Sequence, residues 1–359
     1  MSGRGPAPLA VLCLLALLLG FAPAAPRQAA QAEPRIVDYE VEFTVENVNR
    51  SRSRCTADGE RYTIRGHLTG PEDGLAAPAP AVAFMLHGTN TGEWIWRSGI
   101  PGHDYARALA SRGHSTLTVD RLGYGRSDAP DGFASCSGAH ADIAHQIVQQ
   151  LRRGAYTIVG RDPVAFERVV LGGHSSGALL AETVAVSFGG VDALMLSGWA
   201  AVGITDETNR RFLAAYRSCL AGGEPRAGVE GPGGYVHFDP DREDFLAGGF
   251  GAEADPAVLA WAQGRWQRAP CGVMVSEPMA ILHDLDTLAE IDVPVQLVFG
   301  AHDALRRGVE GYPGLFTGSP RVEALTLPDA GHFVTLDAGA GEFYAAAAAW
   351  LDRSAPPGG

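Results

Sequence analysis

The chain has 359 residues, 46% of them apolar and 19% charged, enough for a large core in one domain or in one domain with an insertion. The normal apolar fraction, and 46 Gly and 23 Pro without a fixed period, exclude disorder, collagen and a coiled coil as the main architecture. A formal net charge of −13 offers no basic face to phosphates, so no nucleic-acid partner is expected.

At the N-terminus, Arg4 precedes an apolar run from Leu9 to Phe21, and the small residues Ala22-Pro23-Ala24 follow. This is the order of a secretory signal peptide, residues 1–24, with a second small-x-small cleavage site at Ala30-Gln31-Ala32. The apolar run is shorter than the roughly 20 residues that span a bilayer, so no stable membrane anchor is expected. Cys13 lacks the small residues that precede a lipid-attachment cysteine. The mature protein therefore reads as secreted and extracellular. Its four cysteines, Cys55, Cys136, Cys219 and Cys271, form an even set in an oxidising compartment, where disulfides are expected.

From Ile36 to Val45 the apolar residues Val37, Tyr39, Val41, Phe43 and Val45 alternate with polar ones, the period of a half-buried strand, and Glu60 to Leu68 gives a second. Short continuous apolar runs follow at 81–86, 115–119, 168–171, 193–196, 293–299 and 322–325, the pattern of parallel strands buried on both faces. Helical stretches lie between them at 103–111, 139–152, 176–188 and 342–351. This alternation predicts an α/β fold with a doubly wound, mostly parallel sheet and right-handed crossovers.

The rhythm breaks between Ser197 and Ile291, where a Gly, Pro and acid-rich stretch (222–256) is flanked by mixed helical segments. So long a stretch exceeds any ordinary connection and is read as an inserted cap over 199–288, between the sixth and seventh core strands. The core is then split into 25–198 and 289–353, with a flexible tail at 354–359. The acid run Asp239–Asp244 lacks the glycine and distal glutamate of a hand-type calcium loop. It is read as a solvated cap surface, and no metal is expected. With Cys219 and Cys271 in the cap and Cys55 and Cys136 in the core, the pairing that respects domains is Cys219 with Cys271 and Cys55 with Cys136.

The sharpest chemical signal is Gly173-His174-Ser175-Ser176-Gly177, directly after a buried strand and directly before a helix. A serine on so tight a turn is lifted out of the sheet on a strained backbone, and larger residues in place of the glycines would collide. Ser175 is the candidate nucleophile, whereas His174 reads as structural. A hydroxyl needs a base, and the base needs a carboxylate to fix its tautomer. Asp303 lies just past one buried strand and His332 in the loop after the next, and the order Ser175, Asp303, His332 suits this topology. Asp329, three residues before His332, is the competing acid; a residue sharing the histidine's own loop is better placed to serve that turn. Oxyanion donors are expected from the backbone N–H groups of Thr89, after His87-Gly88, and of Ser176. Trp94 and Trp96, near that loop, are expected to line an acyl or alcohol pocket, with ordinary packing as the alternative.

These motifs, with the turn Asp120-Arg121-Leu122-Gly123-Tyr124-Gly125-Arg126-Ser127, make the chain resemble the α/β-hydrolase superfamily over residues 60–353. Members with an aspartate at the elbow, the dehalogenases and epoxide hydrolases, are disfavoured by Ser175. The N-terminal strands and the cap match no particular subfamily. The resemblance implies a secreted esterase or lipase-like serine hydrolase that needs no cofactor and cleaves a small-molecule carboxylic ester through an acyl-enzyme. An amide, peptide or carbon–carbon bond hydrolase using the same triad is the alternative, and a non-catalytic binding module a third reading.

Overall fold

The computed structural model describes residues 1–3, 5, 34–76, 79–226 and 233–354. All but four residues of the signal peptide expected at 1–24, and all but the first residue of the C-terminal tail, lie outside the described residues. From Pro34 onward the chain forms one compact unit.

Its centre is a nine-stranded sheet made of β1 (Ile36–Glu46), β2 (Arg61–Pro71), β3 (Ala79–Leu86), β4 (Thr116–Val119), β5 (Thr157–Ile158), β6 (Phe166–His174), β7 (Ala193–Ser197), β10 (Val295–Gly300) and β11 (Val322–Leu327). The spatial order is β11-β10-β7-β6-β3-β4-β2-β1-β5. From β11 to β4 all neighbours are parallel, whereas β2, β1 and β5 join antiparallel. Continuous apolar runs are required in the middle of this sheet because both faces are covered. On β3, Val82, Phe84 and Leu86 enter one apolar cluster with helices α2 (Ser137–Arg153) and α3 (Ser176–Phe188). The alternate residues Ala83 and Met85 enter a second cluster, with α1 (Tyr105–Ala110) and α8 (Ala340–Ser354).

Two readings from sequence need adjustment. Strand β11 is not buried on both faces: it is an edge strand on which Ala324 and Thr326 are exposed, and only Leu327 is fully covered. The solvated reading of the acid run fails at its first residue, Asp239, which is fully buried, while Asp241, Arg242 and Glu243 are exposed.

Between β7 and β10 the chain forms helices α4 (Asp206–Leu220), α5 (Arg242–Gly249), α6 (Pro256–Gln263) and α7 (Cys271–Thr287), with a two-residue ladder of β8 (Tyr235–Val236) on β9 (Ala269–Pro270). Thr205, Asp241 and Asp255 cap α4, α5 and α6 by accepting first-turn amide hydrogens. Cys219 and Cys271 are bonded, tying the end of α4 to the start of α7, and Cys55 is bonded to Cys136 at the start of α2.

Under this segment lies a buried acid pair. Glu182 of α3 and Asp284 of α7 share Tyr312, whose hydroxyl donates to Glu182 Oε1 at 2.9 Å and reaches Asp284 Oδ2 at 3.5 Å. Burial pushes both carboxyls up, Glu182 well above the carboxylate range and Asp284 to about 7. A folded-state pKa raised above the unfolded value gives stability that is complete below about pH 4 and is lost as pH rises toward 7. Asp284→Asn should therefore gain on the native protein by on the order of 1 kcal/mol per pH unit across that window. The difference between the two denaturation curves isolates Asp284, because the buried neutral histidines His87, His140 and His174, which slope the opposite way, are present in both proteins. A pH-independent difference would contradict this account.

Candidate active site

Strand β6 ends at His174 and α3 begins at Ser176, which leaves Ser175 alone to make the turn. Its φ of 54° and ψ of −126° make it the one non-glycine residue with positive φ among the described residues. Such a backbone costs about 1–3 kcal/mol and persists only when its surroundings over-determine it. Here the Ser175 amide donates to Ser197 O at 2.8 Å, and its carbonyl accepts from the Ala178 amide at 2.8 Å. The flanking glycines are needed by contact: a Cβ on Gly173 would lie 2.2 Å from the Gly177 carbonyl carbon, and one on Gly177 would lie 2.5 Å from Leu86 O.

Strands β10 and β11 deliver the other two candidates. His332 Nδ1 and Asp303 Oδ2 are 2.8 Å apart, and both residues are buried. The second carboxylate oxygen, Oδ1, accepts from the Leu305 and Arg306 amides at 2.7 and 3.0 Å, so the side chain is fixed at both ends. Asp329 points out on the exposed part of the loop. The loop is instead braced by Asp337, which no motif flagged: its Oδ2 accepts from Gly331 N and from Gly251 N, each at 2.6 Å. His174 braces it from below, with Nε2 2.9 Å from the His332 carbonyl oxygen. Burial holds His174 well below the usual histidine range, so the neutral ring donates there from Nε2.

The loop after β3 passes directly over the elbow. A Cβ on Gly88 would sit 3.1 Å from Ser175 Cβ, so only glycine permits this approach without displacement. Thr89 Oγ1 donates to Ser176 Oγ at 2.9 Å, clasping the two residues whose amides are the candidate oxyanion donors. Neither amide donates a hydrogen bond among the described residues. Arg121, in the turn after β4, secures the same loop through Nη2, which donates to Gly88 O at 2.9 Å.

The helical segment reaches this loop through buried charge. Asn90 Nδ2 donates to Asp239 Oδ2 at 2.6 Å, and Asp239 Oδ1 is ion-paired with Arg211 of α4, itself buried and bound to Glu207 at 2.7 Å. Burial raises the Asp239 carboxyl, while Asn90 and Arg211 pull it back down. A cavity of about 310 Å³ opens where these parts meet. Thr89, Asn90, Ser175 and His332 line it from the core, and α4 and α7 contribute the apolar side chains Phe212, Pro278, Ile281 and Leu282. Trp94 and Trp96 are not among its lining residues, contrary to the expectation from their position in the chain. Trp96 is fully buried against Tyr105, and Trp94 packs edge-on to Trp261, Phe245 and Phe333, because the turn at 93–95 aims both rings into the core.

A sequence model of the alpha/beta hydrolase family matches residues 83–346, and the chain belongs to that family. Solved structures agree on the fold. A thermophilic esterase from Thermogutta terrifontis superposes with a TM-score of 0.61 at 18% identity, covering 87% of this chain and 99% of that one. The enol-lactonase from Burkholderia xenovorans gives 0.58 at 18% identity over 81% and 96% of the two chains. A monoacylglycerol lipase from Paleococcus ferrophilus gives 0.56 at 19% identity over 76% and 94%.

The buried latch is open to a direct test. Asp239→Asn removes the charge facing Arg211 and should cost about 3 kcal/mol in denaturant unfolding. Asp244→Asn, at the more exposed rim of the same cluster, should cost less than about 1 kcal/mol. Equal losses would mean that the buried pair is not what holds the segment.

Proposed function

We propose that the protein is a secreted serine hydrolase that cleaves carboxylic esters, with Ser175 as nucleophile, His332 as base and Asp303 as the acid that orients it. The observation that carries this reading is the buried 2.8 Å Asp303–His332 hydrogen bond beside a cavity that Ser175 also lines. With Nδ1–H committed to Asp303, the imidazole keeps Nε2 free to take the Ser175 hydroxyl proton as Oγ attacks the ester carbonyl. The tetrahedral oxyanion is received by the amides of Thr89 and Ser176, donors worth about 10²–10³ in rate each. His332 returns the proton to the departing alkoxide, leaving an acyl-enzyme. A water deprotonated by His332 then attacks the acyl carbonyl, the carboxylic acid departs, and His332 returns the proton to Ser175 Oγ.

An ester is favoured as the scissile bond because structural relatives carry the names esterase, monoacylglycerol lipase and enol-lactonase. The mostly apolar cavity suits an acyl or alkyl chain. Secretion is supported by the two bonded cysteine pairs, which an oxidising compartment preserves. Among the described residues no helix is long and apolar enough to cross a membrane.

Kinetics on p-nitrophenyl esters and their anilide counterparts test the assignment. Ser175→Ala should abolish ester hydrolysis with little change in melting temperature, since the strained serine contributes little packing. Asp303→Asn should lower kcat by about 10⁴, as in a comparable triad, while Asp329→Asn should stay within about threefold of native. The reverse ranking of the two aspartates would overturn the choice of acid, and a preference for the anilides would overturn the ester.

A further inference from the structure

One part of the cavity wall does not match an apolar substrate. Glu277 of α7 and Arg306, three residues beyond Asp303, both line it, and they are only 8% and 7% exposed. Glu277 makes no hydrogen bond or ion pair among the described residues, and its Oε2 is a buried acceptor without a partner. Arg306 donates from Nε to Ala200 O at 3.1 Å and from Nη1 to Leu305 O at 2.9 Å, and its guanidinium lies over Trp199 at 4.6 Å. Those contacts anchor the side chain, and among the described residues Nη2 makes no hydrogen bond and no carboxylate lies within ion-pair distance. Two largely buried charged side chains thus line one cavity with no hydrogen bond or ion pair between them, an arrangement that costs stability unless something else completes it.

We propose that Glu277 and Arg306 form a specificity subsite for a hydroxyl group carried on the ester substrate away from the scissile bond. The proposal rests on the serine-hydrolase reading and adds the substrate's chemistry to it. A hydroxyl donates one hydrogen bond and accepts others, which matches an acceptor and a donor together. The charges exclude simpler ions. A substrate ammonium would meet Arg306, and a substrate carboxylate would meet Glu277. An alkyl chain of the same shape would strip both groups of any water and return no hydrogen bond, so it is penalised relative to the hydroxylated one.

The test uses the mature, disulfide-bonded protein and methyl esters of ω-hydroxy acids, from hydroxyhexanoate to hydroxydecanoate. Each is compared with the ester in which a methyl group replaces the terminal hydroxyl. A matching series places the hydroxyl on the alcohol side, as acetates of α,ω-diols against acetates of the methyl-terminated alcohols. In at least one series kcat/KM should favour the hydroxylated member by about tenfold or more. Glu277→Leu should cut that preference by about tenfold, while Glu277→Gln, which still donates and accepts, should hold it within about threefold. Fluorophosphonate labelling reports that each variant is folded; if Glu277→Leu is not, the native and Glu277→Gln preferences decide. Preferences at or below one in both series, an undiminished preference in Glu277→Leu, or a collapse in Glu277→Gln would each overturn the subsite. Failure of the serine reading itself would show differently, as hydrolysis of both members surviving in Ser175→Ala.

Discussion

A left-handed turn at a non-glycine residue persists only where its neighbours leave no alternative, and at Ser175 those neighbours are the sheet itself. Strands β3 and β6 pair in parallel with Leu86 opposite Gly173, so the carbonyl of Leu86 presses on the space that a side chain at Gly177 would fill. The same register makes the chain leave β3 at His87-Gly88 immediately above the elbow. Ser175, its strained backbone and the amide of Thr89 are therefore one consequence of a single strand pairing. The parallel neighbours β7 and β10 extend the argument: Ser197 supplies the carbonyl that holds the Ser175 amide, and Gly300 ends the strand that carries Asp303.

Around that fixed point the structure is braced by buried charge rather than by apolar packing alone. Asp337 holds the His332 loop, Arg121 holds the loop after β3, and Arg211 with Asp239 joins the helical segment to Asn90. Breaking one partner of such a pair is costly because the other is left charged in a dry interior. The segment between β7 and β10 is thus fixed to the loop it overhangs at one side and closed by the Cys219–Cys271 bond at the other. Its helices α4 and α7 also line the cavity, so the cavity wall and the segment's anchors share the same two helices.

Much of this was legible in the chain. Apolar runs marked the parallel strands, and motif order singled out Ser175, Asp303 and His332 as the proposed triad, because local backbone demands leave their mark on neighbouring residue types. Trp94 and Trp96 were misplaced because proximity in sequence to Thr89 says nothing about the direction of a ring, which the turn at 93–95 decides. Asp239, Arg211 and Asp337 were missed for a different reason: charged residues in a loop-rich stretch look solvated until a distant partner buries them. Glu277 and Arg306 belong to the same class, since neither has a motif and only the fold brings them to one cavity wall. The edge position of β11 was likewise invisible, because pairing partners are a property of the whole sheet.

The central proposal is that the strained turn sets Ser175, and no other serine, against His332 as the nucleophile. Peptide mapping by mass spectrometry after brief exposure of the native protein to a fluorophosphonate tests it most directly. The account predicts a single adduct, on Ser175, that forms far more slowly when His332 is replaced by alanine. An adduct on Ser176 or on another serine, or labelling of Ser175 at an undiminished rate without His332, would contradict it.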